Sequence, residues 1–359
     1  MPIVITDDDA RRLLSIPEAI EAMRTAFGDL ALGRAVNPPR LRYSSQTAHE
    51  QRRYFANIHA GAVQTYGTAC VRAGSHFMLM DARSEQRRTL DNPDPFNFSV
   101  VILYSLETGE PLAFMHETHL SGFRVGATTG LGVAECARPD AEILGLFGTG
   151  NQAFPNCRAI CAVRPIKTVK VFSPSVEHRI AFKERMAGEP VEVILVDDPR
   201  EVVRGSHIVC CATNAKLPVL EGRWLESGQM VVTICNSDVI ETRSEVDEET
   251  FVRASNIIVN DWESVLVNRQ VELLELIERG LVSRENVHEL GDIVAGKVSV
   301  RQSPDKILYY KNNTGLAIQF AACGAILHRK LIAEGTNRVI PLDWLASSKY
   351  SIPPAPTTS

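Results

Sequence analysis

The sequence has no run of about 18 or more apolar residues, which is the length that a membrane-spanning helix needs. It also has no excess of positive charge, since the formal net charge is -5 at pH 7. A chain with this balance gives no general positive field to hold a nucleic-acid backbone or an anionic membrane. Its first residues lack the basic and apolar segments of a secretion signal. We therefore expect a cytoplasmic protein with neither nucleic acid nor membrane as a partner.

Paired cysteine spacings are absent as well. The eight cysteines are scattered through apolar stretches, without the spacing of a zinc site or a small disulfide-bonded scaffold, at positions 70, 136, 157, 161, 210, 211, 235 and 323. Cys157 and Cys161 are one helical turn apart, but no second pair of cysteines or histidines nearby completes a set of four ligands. We expect buried, reduced thiols and no bound metal.

The length and the hydrophobic pattern indicate how the chain is organised. A chain of 359 residues with 45% hydrophobic side chains can bury one or two cores, and two domains are the natural expectation. Residues 7–33 have the spacing and caps of helices, and the short β-rich runs in residues 38–115 predict a mostly antiparallel or mixed sheet. From residue 143 onward, apolar strands alternate with helices, which is typical of a parallel, doubly wound sheet. Residues 262–296 and 314–335 are also predicted to be helical.

A glycine-rich turn follows the predicted strand EILGLF. The turn reads Gly148-Thr149-Gly150-Asn151-Gln152-Ala153, a G-x-G-x-x-A pattern with a helix behind it. In a dinucleotide-binding turn, the first glycine permits the tight turn, the second lets the backbone approach the pyrophosphate, and the small third residue lets helix and strand pack closely. The phosphates lie at the helix N-terminus. Because the pattern lies within a series of alternating strands and helices, we expect these six residues to bind a nicotinamide dinucleotide.

The end of the next strand indicates which dinucleotide is bound. An NAD site commonly has Asp or Glu there for the ribose hydroxyls, whereas the segment VKVFSPSVEHR supplies Ser173, Ser175 and Arg179. Hydroxyls and a guanidinium can hold the 2′-phosphate of NADP(H), so NADP(H) is favoured and NAD(H) remains possible. Thr213 and Asn214 follow the fourth strand and are expected over the cofactor, because ligands bind outside the carboxyl ends of parallel strands. A simple polar turn is the alternative for these two residues.

Five stretches together give a resemblance to a known family. They are NPPRLR at 37–42, ETGEPLAFM at 107–115, FRVGATTGLGVAECAR at 123–138, GLFGTGNQA around the glycine turn and NTGLAIQ at 313–319. In their order and spacing they resemble the ornithine cyclodeaminase/μ-crystallin family, which also contains archaeal-type alanine dehydrogenases and ketimine or imino-acid reductases. The resemblance spans nearly the whole chain.

The resemblance implies an α/β fold in two parts. A substrate-binding and dimerisation domain of α+β type would be built from residues 1–122 and from the C-terminal helix, 314–345. A Rossmann domain with a doubly wound parallel sheet would occupy residues 123–313, and residues 346–359 would form a flexible tail. The resemblance also implies a homodimer.

The resemblance further implies that arginines hold the substrate carboxylate. The PPR segment places this role on Arg40 or its neighbour Arg42, and the segment FRVGA places it on Arg124. A guanidinium suits the role because it binds a carboxylate through two parallel hydrogen bonds. For Arg42, an ordinary surface salt bridge is an equal alternative. Where the family has a lysine, this chain has Arg72, which cannot give up its proton and is expected to bind or polarise the substrate.

A second departure from the family pattern lies after the fifth strand of the Rossmann part. Cyclodeaminases carry an Asp in a G-x-D-x-P-G pattern, whereas this chain reads TICNSDVIETRSEVD, with a helix predicted from Glu245. Asp238 is the nearest carboxylate and is our candidate catalytic group beside Arg72. His59 and His76 flank the expected pocket and could relay a proton, with a structural role as the alternative for each.

These features lead to three hypotheses. The leading one is an NAD(P)H-dependent oxidoreductase acting on the C–N bond of a small amino or imino acid, as an imino-acid reductase or an amino acid dehydrogenase. The second is a cyclodeaminase that eliminates ammonia with bound NAD, against which the replacement of lysine by Arg72 argues. The third is a μ-crystallin-like, NADPH-dependent ligand-binding protein. The sequence leaves the side chain of the substrate open.

Overall fold

The structure, a computed structural model, describes residues 1–50, 52–79, 98–235, 237, 242–301, 303–312 and 315–346. Two β-sheets organise these residues. Within the described ranges, no helix combines the length and the apolar character that crossing a lipid bilayer requires. The same part of the chain contains no group of three or more side chains suited to holding a metal ion.

The N-terminal part forms a seven-stranded sheet with helices packed against it. Its elements are β1 (Ile3–Ile5), α1 (Asp7–Leu13), α2 (Ile16–Ala31), β2 (Ala35–Val36), β3 (Leu41–Gln46), β4 (Arg52–Val63), β5 (Thr68–Leu79), β6 (Val100–Ser105), β7 (Pro111–His116) and α3 (Thr118–Cys136). The strand order is β1-β7-β6-β5-β4-β2, and β3 pairs with β4. All neighbours are antiparallel except β1 and β7. This confirms the mixed sheet predicted from the β-rich runs.

The second sheet has eight strands, and all of its neighbouring strands are parallel. Its elements are β8 (Ile143–Phe147), α4 (Ala153–Val163), β9 (Thr168–Phe172), α5 (Val176–Arg185), β10 (Glu192–Leu195), α6 (Pro199–Val203), β11 (Ile208–Cys211), β12 (Met230–Thr233), α7 (Glu248–Arg253), β13 (Asn256–Val259), α8 (Trp262–Val267), α9 (Val271–Glu278), β14 (Val287–Glu289), α10 (Leu290–Val294) and β15 (Leu308–Lys311). The order is β10-β9-β8-β11-β12-β15-β13-β14. Successive strands are added on one side of β8 up to β10 and on its other side from β11 onward, so the strand order reverses between β8 and β11. The predicted Rossmann sheet is confirmed, and a ligand is expected at this reversal point.

Two predicted helical segments differ from the structure. The helix expected from Glu245 begins at Glu248, because the Asp247 side chain accepts a hydrogen bond from the Thr250 backbone N–H and so caps the helix one turn later. The stretch 262–296 is not one helical region, because β14 interrupts it by pairing with the edge of β13. Local apolar spacing could not reveal this pairing.

The last helix, α11 (Ala317–Ala333), returns the chain to the first sheet, where it packs on β4 and β5. It is buried over most of its length, with Phe320 and Leu327 fully inside. The boundary expected between residues 122 and 123 falls inside α3, which packs both on α2 and on α4. One hydrophobic core therefore continues from the N-terminal sheet into one side of the parallel sheet.

Candidate active site

The glycine turn lies where β8 ends and α4 begins. Gly148 has a backbone φ of 97°, and a Cβ at this position would lie 2.3 Å from the carbonyl oxygen of Ala212. Glycine is therefore required there. A Cβ on Gly150 would meet no atom within 4 Å, so the space beside the turn is open. Ala153 is fully buried at the start of α4, as close packing of that helix requires.

A cavity of about 700 Å³ lies beside this turn. The predicted cofactor residues that line it are 148–152, Ser173, Thr213 and Asn214. The helix α5 adds His178 and Arg185, which the sequence did not single out. None of the described residues that line this cavity is Asp or Glu. The cavity therefore has the character of an anion-binding site at the point where the sheet topology expects a ligand.

Three predicted cofactor residues do not line this cavity, and the first of them, Ala153, is buried at the start of α4. Ser175 caps α5, because its hydroxyl oxygen accepts a hydrogen bond from the His178 backbone N–H at 3.1 Å. The buried guanidinium of Arg179 donates to the carbonyl oxygen of Val196 and pairs with Asp197 at 2.9 Å. Arg179 thus reaches to the end of β10, and Arg185, two turns further along α5, is the arginine that faces the cavity.

A second cavity of about 340 Å³ adjoins the first, since Gln152, Thr213 and Asn214 line both. Its described lining comes from the first sheet and the segment before β3, from α3, from the glycine turn, and from the segments after β11, β12 and β15. These lining residues are Arg40, Asn57, His59, Arg72, Ser121, Arg124, Val125, Gln152, Thr213, Asn214, Ile234, Cys235, Arg243, Asn312 and Gly315. The structure brings together three of the four arginines expected at the substrate site. The fourth, Arg42, lies on β3 and is not among the lining residues.

Alternation along β5 explains how Arg72 reaches this cavity. Successive side chains of a strand point to opposite faces, so Arg72 lies on one face and its neighbours Val71 and Ala73 on the other. His59 is directly opposite Arg72 on β4 and shares its face. Arg40 approaches from the segment before β3, and its Nε donates to Asn268 Oδ1 at 3.3 Å. The first sheet therefore positions Arg72, and Asn268 at the end of α8 helps to position Arg40.

Arg124 is a buried cation on α3. Its Nη1 donates to Gln319 Oε1 at 2.6 Å, and its guanidinium carbon lies 4.9 Å from the centre of the Phe320 ring. Burial lowers the pKa of Arg124 to about 10, which leaves it charged at neutral pH at an energetic cost. A ligand carboxylate beside this guanidinium would offset that cost.

Arg72 has a protein counter-ion. Its Nη2 forms an ion pair with Glu117, whose side chain is almost entirely buried at the start of α3. One oxygen of Glu117 and the Nε of Arg72 have no hydrogen-bond partner. The pair therefore keeps hydrogen-bonding capacity for a ligand on both of its members.

His59 is a buried imidazole at the same place. Its ring stacks on Phe320 with centroids 6.4 Å apart, and neither ring nitrogen has a hydrogen-bond partner. Burial and the nearby arginines hold the pKa of His59 well below its usual value, so the ring is neutral. A neutral imidazole has one donor and one acceptor nitrogen, and both are available here.

Unpartnered buried polar atoms are concentrated around this cavity. They include Asn57 Oδ1, both ring nitrogens of His59, Arg72 Nε, Glu117 Oε2, Arg124 Nε and Gln152 Oε1. Buried polar groups without partners are rare in folded proteins, because each one costs free energy. Their concentration at one cavity fits a small polar ligand that carries both acceptor and donor groups.

Glu245 is a site residue that the sequence did not reveal. It is fully buried, and its two carboxylate oxygens accept four hydrogen bonds of 2.7–2.9 Å from Thr213, Ile234 and Cys235. Burial raises its pKa to about 7. Because its partners lie 10 to 32 residues away along the chain, no local sequence pattern marked it.

Two other candidates are placed differently. Asp238 lies outside the residues that the structure describes, so its role stays a prediction. His76 is on β5 with its ring stacked on Phe55, 5.9 Å between centroids, and is not among the lining residues of the second cavity.

Comparison with known proteins gives consistent matches over most of the chain. The model of the ornithine cyclodeaminase/mu-crystallin family matches residues 2–334. Alanine dehydrogenase of Archaeoglobus fulgidus is 26% identical, with 94% of this chain and 98% of that protein covered. Delta(1)-pyrroline-2-carboxylate reductase of Bacillus cereus is also 26% identical, with 94% and 99% covered. The structure of an archaeal alanine dehydrogenase dimer with bound NAD superposes with a TM-score of 0.78 at 24% identity, covering 93% and 97%.

Proposed function

Because the chain belongs to the ornithine cyclodeaminase/μ-crystallin family, we propose that it is an NAD(P)H-dependent oxidoreductase acting on the carbon–nitrogen bond of a small amino or imino acid. The observation that carries this proposal is the junction of the two cavities. An arginine-lined pocket suited to a carboxylate shares Gln152, Thr213 and Asn214 with the cavity beside the glycine turn. Relatives with 26% identity are an alanine dehydrogenase and a pyrroline-2-carboxylate reductase, which support the same class of reaction.

The residues present fit a nicotinamide dinucleotide. The open space at Gly150 and the tight turn at Gly148 suit a pyrophosphate beside the N-terminus of α4. When bound, such a cofactor supplies the hydride chemistry. The role of the protein is then to orient the substrate, exclude water and manage one proton. We assign cofactor contacts to residues 148–152, Ser173, Thr213 and Asn214.

We assign the substrate carboxylate to Arg124 and Arg72, with Arg40 beside them. Arg124 supplies a buried guanidinium with a free Nε, and Arg72 is held in place by Glu117. Fixing the carboxylate also fixes the adjacent carbon and nitrogen, which is how positioning contributes to the rate. Arg42 remains a weaker candidate, since it does not line the second cavity, although its charge acts on His59.

The proton is the second requirement of the reaction, because an imine nitrogen must be protonated as the C–N bond is reduced. Arg72 cannot supply it, since a guanidinium does not deprotonate in proteins. We assign to His59 the relay of this proton, since its neutral ring lies opposite Arg72 and has both nitrogens available. One ring nitrogen would pass its proton to the imine nitrogen while the other takes a proton from solvent, so the ring stays neutral. Asp238 is the alternative donor.

For the cofactor, we propose a preference for NADP(H). The basic side chains that line the first cavity are His178 and Arg185, and its described lining includes no carboxylate to hold the ribose hydroxyls. A 2′-phosphate needs hydroxyl and cationic partners, which Ser173, His178 and Arg185 can provide. Arg179, bound to Asp197, does not contribute.

We also propose that the protein is a homodimer, with the N-terminal part and α11 forming the substrate-binding and dimerisation domain. The face of the first sheet opposite the arginines exposes apolar side chains, namely Leu41, Tyr43, Val71, Phe77 and Val100. A contiguous apolar face of this kind is typical of a protein interface. The related archaeal alanine dehydrogenase is a dimer, which supports this assignment.

The experiment that tests the proposed function is a spectrophotometric screen of NADPH and NADH oxidation. The acceptors are cyclic imino acids, and 2-oxo acids combined with ammonia or methylamine. We expect NADPH to be oxidised with at least one acceptor. Tight NADPH binding without turnover would support a binding protein, and ammonia release from ornithine without net change in NAD(P)H would support a cyclodeaminase.

A further inference from the structure

We propose that Glu245 is a positioning residue that joins the cofactor cavity to the substrate pocket, an inference that rests on the proposed function. Its carboxylate connects the segment after β11 to the segment after β12. We call this set of four hydrogen bonds the Glu245 bridge. Each of the two connected segments contributes lining residues to the cavities.

The first half of the Glu245 bridge holds the segment after β11. Glu245 Oε1 accepts hydrogen bonds from the backbone N–H and from the hydroxyl of Thr213, both at 2.7 Å. The same hydroxyl oxygen accepts a hydrogen bond from the Ala215 N–H at 3.2 Å. Residues 213–215 all line the first cavity, so Glu245 fixes the turn that faces the cofactor.

The second half of the Glu245 bridge holds the segment after β12. Glu245 Oε2 accepts hydrogen bonds from the N–H groups of Ile234 and Cys235 at 2.9 and 2.8 Å. Both of these residues line the second cavity. One side chain therefore sets the separation of two strand ends between which the cofactor and the substrate would meet.

The glycine turn depends on the same geometry. A Cβ on Gly148 would approach Ala212 O at 2.3 Å and Thr213 Cγ2 at 3.1 Å, so the turn is in close contact with the segment that Glu245 holds. A shift of Thr213 would be transmitted to the turn because close-packed groups cannot move independently. Residues outside both cavity linings can thus control their shape.

The Glu245 bridge requires the ionised carboxylate. Four donors point at its two oxygens, and a proton on either oxygen would place a donor against donors. Burial raises the pKa of Glu245 to about 7, so the bridge is complete above this pH and weakens as the pH falls through it. Among the residues that the structure describes, the titratable groups around it are Cys210 and Cys211 on β11, Tyr309 on β15, and Cys235, which follows β12. Burial raises the pKa of Cys210, Cys211 and Tyr309, so these three stay neutral near pH 7.

The test is a comparison of Glu245→Gln with the wild type. The glutamine side chain has the same shape, but whichever way its amide is turned, its NH₂ faces two donors. We expect the Kd for NADPH to rise about tenfold or more, together with the KM for the imino acid. In the wild type, NADH affinity should increase between about pH 6 and pH 8 with a midpoint near 7, and this dependence should be lost in Glu245→Gln. NADH is the probe for the pH series because it has no titrating 2′-phosphate.

The matched control is Asp247→Asn in the same segment. Asp247 Oδ1 accepts hydrogen bonds from the N–H of Gly222 and from Thr250, and it contacts neither cavity. The amide oxygen of this variant can still accept these bonds, which hold α7 and not the strand ends, so the Tm should fall only slightly and the Kd for NADPH should stay within about twofold. An unchanged Kd in a folded Glu245→Gln would overturn the proposal. If that variant does not fold, a flat pH profile in the wild type would overturn it.

Failure of the proposed function can be distinguished from failure of the positioning role of Glu245. NADPH and NADH binding can be measured by fluorescence without any turnover, so the Glu245 bridge is tested even in a protein that reduces no imino acid. Turnover of an imino acid together with unchanged binding in Glu245→Gln would retain the proposed function and reject the positioning role.

Discussion

Replacing Arg124 with methionine should separate activity from stability. In the folded protein, burial lowers the pKa of Arg124 from 12.5 to about 10. A change of this size corresponds to about 3 kcal/mol that disfavours the charged form in the fold. Methionine removes this cost and also removes the hydrogen bond to Gln319, worth about 1.5–3 kcal/mol. The two effects nearly cancel, so the free energy of unfolding should stay within about 2 kcal/mol of the wild type.

The groups around Arg124 support this cancellation. Gln319 Oε1 also accepts a hydrogen bond from the Leu316 N–H at 3.0 Å, so it keeps a partner when the guanidinium is removed. Phe320 offers its ring to a methionine side chain as it does to the arginine. The replacement therefore leaves no new unpaired polar group at this position.

Activity should respond very differently. Loss of a charge-assisted, two-pronged contact with the substrate carboxylate should reduce kcat/KM by about 100-fold, since each 1.4 kcal/mol is a factor of ten. The assay is NADPH oxidation with the acceptor found in the screen, with denaturant unfolding measured in parallel. A carboxamide analogue should bind the wild type much more weakly than the substrate does. In Arg124→Met, the difference in affinity between the substrate and this analogue should be far smaller.

The matched control is Arg164→Met. Arg164 donates to the carbonyl oxygens of Ala134, Ala137, Arg138 and Val163, and it lines neither cavity. This variant should lose about 3 kcal/mol of stability and keep its kcat/KM, because its bonds are structural. If Arg124→Met instead lost several kcal/mol of stability and retained most of its kcat/KM, the assignment of Arg124 to the substrate carboxylate would be refuted.

Three further predictions concern the other assignments. His59→Gln should lower kcat at least about 100-fold at saturating substrate while leaving the Kd for NADPH unchanged, and an unaltered kcat would exclude His59 as the proton relay. Arg185→Glu should reduce kcat/KM for NADPH more than for NADH, because it places a carboxylate near the 2′-phosphate, and equal losses would contradict the NADP(H) assignment. Val71→Glu should shift the protein from dimer to monomer in analytical ultracentrifugation, whereas an unchanged dimer would place the interface elsewhere.

The sequence was most informative where local chemistry determines local structure. Gly148 could be recognised because its turn admits no side chain, and the parallel sheet could be recognised from alternating strands and helices. The arginines were found through their order in the family pattern, and the structure places Arg40, Arg72 and Arg124 at one cavity.

The sequence was least informative where long-range contacts determine a side chain's direction. Arg179 and Arg185 lie on the same helix, and only the position of Asp197 after β10 shows which of them is held away from the cavity. Glu245 was overlooked because its partners come from two other strands. The short strand β14 forms only because β13 offers it an edge.

The measurement that tests the central claim most directly is a single-turnover reaction with NADPH that carries deuterium on the transferable position of the nicotinamide. The account predicts that NMR of the product finds this deuterium on the carbon that bears the amino nitrogen, in an amount equal to the NADPH oxidised. NADPH oxidation without deuterium on that carbon, or tight NADPH binding with no transfer to any imino acid, would contradict it.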